Sequence, residues 1–461
     1  MATTPMPAAT PAAPPAATPA VTASAVPADV PTQPVRLLLV GAGARGSTYA
    51  RYAAATGRAE VVAFAEPDPR RGDDAARDHP AAARFDDWRE LAGELATAGI
   101  AADAVIIATQ DAQHAEPAVA FAGLGLHILL EKPMATTEAD ALRIIDAVNR
   151  ADVILAVCHV LRYTPYTTGV KEIVDSGVLG EIVSVEHLEP VGWWHAAHSY
   201  VRGNWRREQD ATPMLLAKSG HDLDWLSFVV GRPVRKVSSF GGLKHFRREN
   251  QPEGATDTCV TCPVEPTCPY SATRLYLGCL GDPDRERWPL AVVTEDRTES
   301  GVLAALQDGP YGRCVYACDN DVVDHQVVNL EFEGGATASF TMTAFTPFTH
   351  RRTRIFGTHG QLAGDGVTAD VTDFRTGQTT THVLGLDGPD AGSGHGGGDE
   401  RLVDAFLDAV ASGDRDRILS DPATSLEAHQ VAWAAERSRH TSTVQSVGAA
   451  VEPVEPVEPG A

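Results

Sequence analysis

The chain has 461 residues, 43% of them hydrophobic and 21% charged, which is the balance of a globular protein with room for two domains. Its 61 acids against 38 lysines and arginines give a net charge of −23, a field that repels nucleic acid and anionic membrane. No apolar run approaches the ~20 residues of a membrane span, and seven cysteines in a chain this long suggest reduced thiols or a metal rather than a disulfide framework.

Residues 1–34 are rich in Ala, Pro and Thr and lack the basic and apolar regions of a secretory signal, so they read as a disordered tail and the expected location is cytoplasmic. Val35–Val40 is a short apolar run of β composition, fit for a buried parallel strand. Gly41, Gly43 and Gly46 follow at G-x-G-x-x-G spacing, with Ala44 and Arg45 inside the turn, and Ala44–Thr56 reads as a helix. Such glycines give a tight turn, a close approach to a pyrophosphate and close helix–strand packing, with the pyrophosphate on the helix N-terminus. A second strand, Glu60–Ala65, ends at Glu66, 20 residues after Gly46, where an acid binds the ribose hydroxyls of NAD. Arg70 and Arg71 lie just beyond and offer a site for a 2′-phosphate, so NADP stays open beside NAD.

Strand and helix patterns then alternate to residue 158: a helix at Phe85–Ala98, a strand at Asp103–Ala108, a helix at Gln113–Gly123, a strand at His127–Leu130, a helix at Thr137–Ala151 and a strand at Val153–Cys158. This predicts an α/β Rossmann domain, a doubly wound parallel sheet over 35–158 that binds ligand beyond the carboxyl ends of its strands. Two segments fall there, Thr109–His114 and Glu131-Lys132-Pro133. The strand ending in E-K-P after a glycine-rich βα unit resembles the glucose–fructose oxidoreductase/inositol dehydrogenase (Gfo/Idh/MocA) family. So do A-T-x-D-x-x-H at Ala108–His114, G-V-L-G-E-I at Gly177–Ile182, S-G-H-D-L-D at Ser219–Asp224 and the closing A-A-E-R-S at Ala434–Ser438. The resemblance runs from about Val35 to His440. It implies that Thr109, Asp111, His114, Glu131, Lys132 and Pro133 join the cofactor-binding set, with a cis Lys132–Pro133 bond.

Beyond 158 the texture changes. Helices are expected at Pro165–Ser176 and Ser219–Val230, and strands at Glu181–Val191 and Val234–Gly242. Gln326–Phe356 alternates as strands around Glu333-Gly-Gly335, Ala369–Leu384 reads as a hairpin around Arg375-Thr-Gly377, and helices at Glu400–Ala411 and Ser425–Arg439 close the domain. Strands in series predict an α+β domain over 159–440 with a largely antiparallel open sheet, followed by a disordered Pro/Glu tail over 441–461. Members of the family pair such sheets face to face, which implies a homo-oligomer, a dimer or tetramer.

Lys132 leaves its strand where an ammonium is able to hold a substrate hydroxyl and relay its proton while hydride departs. The following Pro133 restricts it to an extended conformation. His221 is the second candidate catalytic residue: relatives place a histidine here as base, paired with an acid four residues earlier. Here that position is Ala217, beside Lys218, with Asp222 and Asp224 as possible substitutes. Gly192–Trp205 is unusually aromatic. Its Trp193, Trp194, Trp205, His195, His198 and Arg202, with Arg162 further back, combine apolar faces and polar tips that suit a sugar or cyclitol. Cys259, Cys262 and Cys268 lie in a polar stretch within an insertion at 250–320, at zinc-ligand spacing, with Cys318 or Cys314 as the fourth thiolate of a structural site.

The expected protein is an NAD(P)-dependent oxidoreductase acting on a secondary hydroxyl of a sugar, sugar derivative or cyclitol. Two other readings stand beside it. Some relatives use transient NAD oxidation for glycosidic elimination without net redox, and a catalytically inactive sugar-sensing regulator would also carry the cofactor site.

Overall fold

The computed structural model describes residues 33–97, 99–385 and 395–448. Expectations for the two tails fall mostly on 1–32 and 449–461, outside these residues. Six strands form the first sheet: β1 (Val35–Val40), β2 (Ala59–Ala65), β3 (Ala83–Phe85), β4 (Ala104–Ile107), β5 (His127–Leu130) and β6 (Leu155–Val157). They lie in the order β3-β2-β1-β4-β5-β6 and all pair in parallel. Strands buried on both faces must be apolar throughout, as the L-L-L-V and A-V-I-I runs of β1 and β4 are. The reversal of strand order between β1 and β4 opens a crevice at the carboxyl edge of the sheet. Helix Glu138–Ala151 begins as expected, with Thr137 Oγ1 accepting from Asp140 N at 3.2 Å. The short strand β3 occupies the start of what reads as one helix in sequence, and the helix itself spans Trp88–Ala96.

The second sheet holds β7 (Ile182–Pro190), β8 (Val234–Gly242), β9 (His325–Phe332), β10 (Thr337–Thr343), β11 (Arg352–Gly357), β12 (Gly360–Gly364), β13 (Thr368–Asp373), β14 (Gln378–Val383) and β15 (Gln445–Ser446). Their order is β14-β13-β12-β11-β7-β10-β9-β8-β15, antiparallel except for the parallel pair β7–β10. The β9–β10 hairpin turns on Gly334 and Gly335, both at positive φ near 90° (89° and 92°), where side chains are disfavoured. Edge strand β15 pairs with β8 inside the stretch expected to be tail.

Helix Gly398–Ser412 does not close the second domain as expected. Its Leu402, Val403, Phe406 and Leu407 share a core with Leu37, Leu39 and Tyr49 of the first. The long helix Pro422–Thr441 faces both ways: Val431 and Ala435 pack with Val328 and Leu330 of the second sheet, while Leu426 and Trp433 reach the core around β4 and β5. No helix among the described residues is long and apolar enough to cross a membrane.

Candidate active site

The glycine-rich turn is built as its spacing implies. Gly41 has φ +88°, and a Cβ there would lie 2.5 Å from the Ala108 carbonyl oxygen; one at Gly46 would lie 2.1 Å from the Gly41 carbonyl. The protein itself therefore demands glycine at both positions. At Gly43 a Cβ would meet nothing within 4 Å. That open approach beside the N-terminus of helix Ala44–Ala55 is where a pyrophosphate fits. Glu66 is buried at the end of β2, its Oε2 accepting from Ala42 N at 2.8 Å and its Oε1 from Asp68 N at 2.9 Å. Arg71 donates to the same carboxylate at 2.8 Å, whereas Arg70 points to solvent beside Asp68.

Arg45 reaches away from the turn. It donates to Glu131 Oε1 at 2.8 Å and to Asp399 at 3.0 and 2.5 Å, and also bonds Tyr49. Glu131 accepts from Tyr49 and from the Lys132 amide as well, so its carboxylate is a buried hub for the chain around the crevice. Burial pulls its pKa up, but the charges of Arg45 and Lys132 bring it below the usual value. His114 bridges the Pro133 and Thr109 carbonyls at 2.7 and 3.2 Å, and Thr109 Oγ1 donates to Gln113 O. The Lys132–Pro133 bond is cis.

Lys132 and His221 are brought together. The Lys132 ammonium donates to the Ala217 carbonyl, so the residue without an acid serves through its backbone. Burial lowers the Lys132 pKa, opposed by Glu131 and Asp111. His221 is buried and its pKa lies well below the ordinary 6.5, first through burial and then through the charges of Lys132, His395, His159 and Arg351. Its Nδ1 has no hydrogen-bond partner among the described residues. Neither sequence candidate for the missing acid turns toward it. Asp222 is held by Arg351 at 2.5 Å and His187 at 3.0 Å, and Asp224 by Arg162. Lys218 pairs with Glu189 at 3.1 Å, and Glu189 with Arg351 at 2.8 Å. These contacts join β7, the His221 helix and the start of β11, and sequence reading missed them because each partner lies far along the chain.

The proposed substrate residues divide. Trp205 Nε1 donates to Asp111 at 3.1 Å, tying the second domain to the loop after β4. Burial raises the Asp111 pKa against the charges of His114 and Lys132. His195 packs among Trp194, Trp288, Tyr200 and Phe348, and burial with the nearby Lys218 and Lys132 charges pushes its pKa far down. Trp193 is part-exposed and donates to Pro269 O at 3.2 Å.

Three polar tips are occupied elsewhere. Arg162 makes a paired bond to Asp224 at 2.7 Å through each of two nitrogens and a third to Leu419 O at 2.6 Å. His198 bonds Tyr276 Oη at 2.7 Å. Arg202 is fully buried, donating to Arg313 O at 2.7 Å and Tyr270 O at 2.8 Å. His198 and Arg202 anchor the 250–320 insertion and do not face the crevice.

The zinc expectation is not supported. Cys259, Cys262, Cys268 and Cys314 do line one cavity of about 20 Å³, with Arg202, while Cys318 bonds the Cys314 carbonyl at 3.3 Å. Yet among the described residues no group of three or more His, Cys, Asp or Glu is placed so that it could hold a metal ion. Burial raises the pKa of Cys268 and Cys314, which favours protonated thiols, and the Arg202 guanidinium lies 3.5 Å from Cys259 Sγ. The cysteines converge without forming a ligand set.

Residues 35–159 match a family model described as "Oxidoreductase family, NAD-binding Rossmann fold", and residues 171–447 match "Oxidoreductase family, C-terminal alpha/beta domain". Fold and crevice together define an NAD-binding oxidoreductase, a dehydrogenase. The chain belongs to the Gfo/Idh/MocA family. YteT of Bacillus subtilis, an oxidoreductase by name, is 25% identical over 371 residues, 76% of this chain and 82% of that protein. Inositol 2-dehydrogenase of Corynebacterium glutamicum is 33% identical over 159 residues, 34% of this chain and 46% of that protein. Among solved structures, levoglucosan dehydrogenase in complex with NADH and L-sorbose shares the fold, with a TM-score of 0.66 at 20% identity, covering 90% of this chain and 99% of that one.

Proposed function

We propose that the protein oxidises a secondary hydroxyl of a sugar, sugar derivative or cyclitol, with NAD preferred over NADP. The observation that carries the reading is the approach of Lys132 to the segment of His221: its ammonium donates to the carbonyl four residues before the histidine, and its charge helps to lower the histidine's pKa. When bound, NAD accepts the hydride. The Lys132 ammonium then holds the substrate oxygen, and neutral His221 takes its proton. Trp205 on Asp111 draws the second domain over the crevice and so helps to exclude water. The cofactor preference follows from Glu66, whose buried carboxylate would repel a 2′-phosphate and which already binds Arg71. The similarity to proteins named inositol 2-dehydrogenase and levoglucosan dehydrogenase supports a polyol or sugar substrate.

The test is NADH formation against a panel of pyranosides, anhydrosugars and cyclitols, with the product weighed by mass spectrometry. The expected result is NADH together with a product lighter by two hydrogens. Glycosidic cleavage without NADH would replace this reading with the elimination chemistry.

A further inference from the structure

Oxidising an alcohol releases one proton with each hydride, and that proton must leave a site whose acting groups are buried. His221 is 5% exposed and, among the described residues, pairs with no carboxylate. Its ring neighbours are His159 and His395, at 6.1 and 5.7 Å between ring centres. His159 leads nowhere, being 1% exposed and packed next against His429. The His395 side chain keeps 25% exposure and borders a cavity of about 50 Å³, which has room for water.

His395 also has what His221 lacks. Its Nδ1 lies 3.3 Å from Oδ2 of Asp399, a buried carboxylate. Burial alone would raise the Asp399 pKa, but Arg45 and His395 hold it far below the ordinary value, so it stays an anion. The turn that carries the ring is left-handed, with His395 at φ +49° ahead of Gly396 at +61° and Gly397 at +84°. Around the ring stand Asp399 on the following helix, His221 on the helix Gly220–Val230, and His187, His350 and Arg351 across the cavity.

We propose that His395, oriented by Asp399, is the proton exit of the active site. The inference rests on the dehydrogenase reading. The substrate C–H bond breaks with its electron pair passing to the nicotinamide; the O–H bond breaks with its proton passing to His221. From there the proton moves through water to Nε2 of His395 and on to solvent. Nothing else is oxidised or reduced.

Two measurements test this. In histidine-labelled protein without substrate, ¹⁵N NMR reads the ring tautomer, and His395 is expected to carry its proton on Nδ1, facing Asp399. In steady-state assays with NAD and an active compound of the panel, His395→Ala is expected to lower kcat about tenfold to a hundredfold, with KM unchanged. Added imidazole restores turnover in this variant by taking the vacated space. His395→Gln, which fills that space, shows the same loss without rescue. An Nε2–H tautomer, full activity in the alanine variant, or a loss that imidazole leaves untouched would overturn the proposal. Wild-type protein that forms no NADH with any panel compound, yet shows the Nδ1–H tautomer, refutes the dehydrogenase reading and the relay with it, while leaving the Asp399 contact intact.

Discussion

Acidification has a calculable effect through His429, a residue on the helix Pro422–Thr441 that no motif singles out. Its Nε2 accepts from the Met134 amide at 2.9 Å, and its Nδ1 faces the Ser425 carbonyl at 2.7 Å. Only the neutral ring with its proton on Nδ1 satisfies both, because the carbonyl needs a donor and the amide an acceptor. Burial, with His159 beside it, pushes the pKa of His429 from 6.5 down to about 3. A folded-state pKa below the unfolded one means that the unfolded chain binds the proton first as pH falls. This contribution to stability is complete above about pH 6.5 and is lost progressively toward about pH 3. At about pH 5 some 1.5 pH units of the window have been crossed, and at 1.36 kcal/mol per unit the loss is about 2 kcal/mol. Met134 follows Lys132-Pro133, so the bond that His429 keeps in the folded chain also holds the backbone next to Lys132, and it is lost only as the folded protein approaches about pH 3. Urea unfolding of wild-type protein and His429→Gln at about pH 7 and about pH 5 reads the effect. Glutamine preserves a donor and an acceptor but does not titrate, while His198, also pushed to about 3 by burial, is common to both proteins and cancels. The wild-type loss should exceed that of the variant by about 2 kcal/mol. Equal losses in the two proteins would refute the reasoning.

The glycines give a paired test: Gly43→Glu should abolish NAD binding by calorimetry and leave the melting temperature unchanged, because its Cβ meets no protein atom. Gly46→Ala should lower the melting temperature, since its Cβ would collide with the Gly41 carbonyl. Lys132→Ala should reduce turnover by roughly 10²–10⁴-fold with cofactor affinity nearly unchanged, measured by NADH formation and by fluorescence titration. Arg162→Met should cost about 3–5 kcal/mol in urea unfolding, because it strands Asp224 as a buried charge; a loss within measurement error would show that water reaches the carboxylate.

What the sequence reveals and what it hides divide along chain separation. The turn at Gly41–Gly46, the acid at Glu66 and the E-K-P segment are local patterns whose function requires particular residues at fixed spacing, so their positions are legible along the chain itself. The aromatic stretch Gly192–Trp205 is legible only as composition. Which of its polar tips face the crevice depends on the insertion that packs against it, and Tyr276, Tyr270 and Arg313 claim His198 and Arg202 from 68 to 111 residues away. The same holds for the cysteines, where spacing predicts a common neighbourhood but not the orientation of the thiols.

Charge at the site follows the same logic. Reading along the helix, Asp222 and Asp224 are natural replacements for an acid at 217, being one and three residues from His221. A helix sets residues one apart about 100° around its axis, so near neighbours in sequence point to different partners. Arg351, just before β11, claims Asp222, and Arg162, from the segment after β6, claims Asp224. With both acids neutralised elsewhere and Lys132 close by, His221 has no means of holding a proton, which suits a group that must pass one on. Asp399 lies 178 residues further along the chain and reaches the site only because its helix leaves the second domain to pack on the first. That return of the chain brings a carboxylate to the second histidine, and no pattern within either segment announces it.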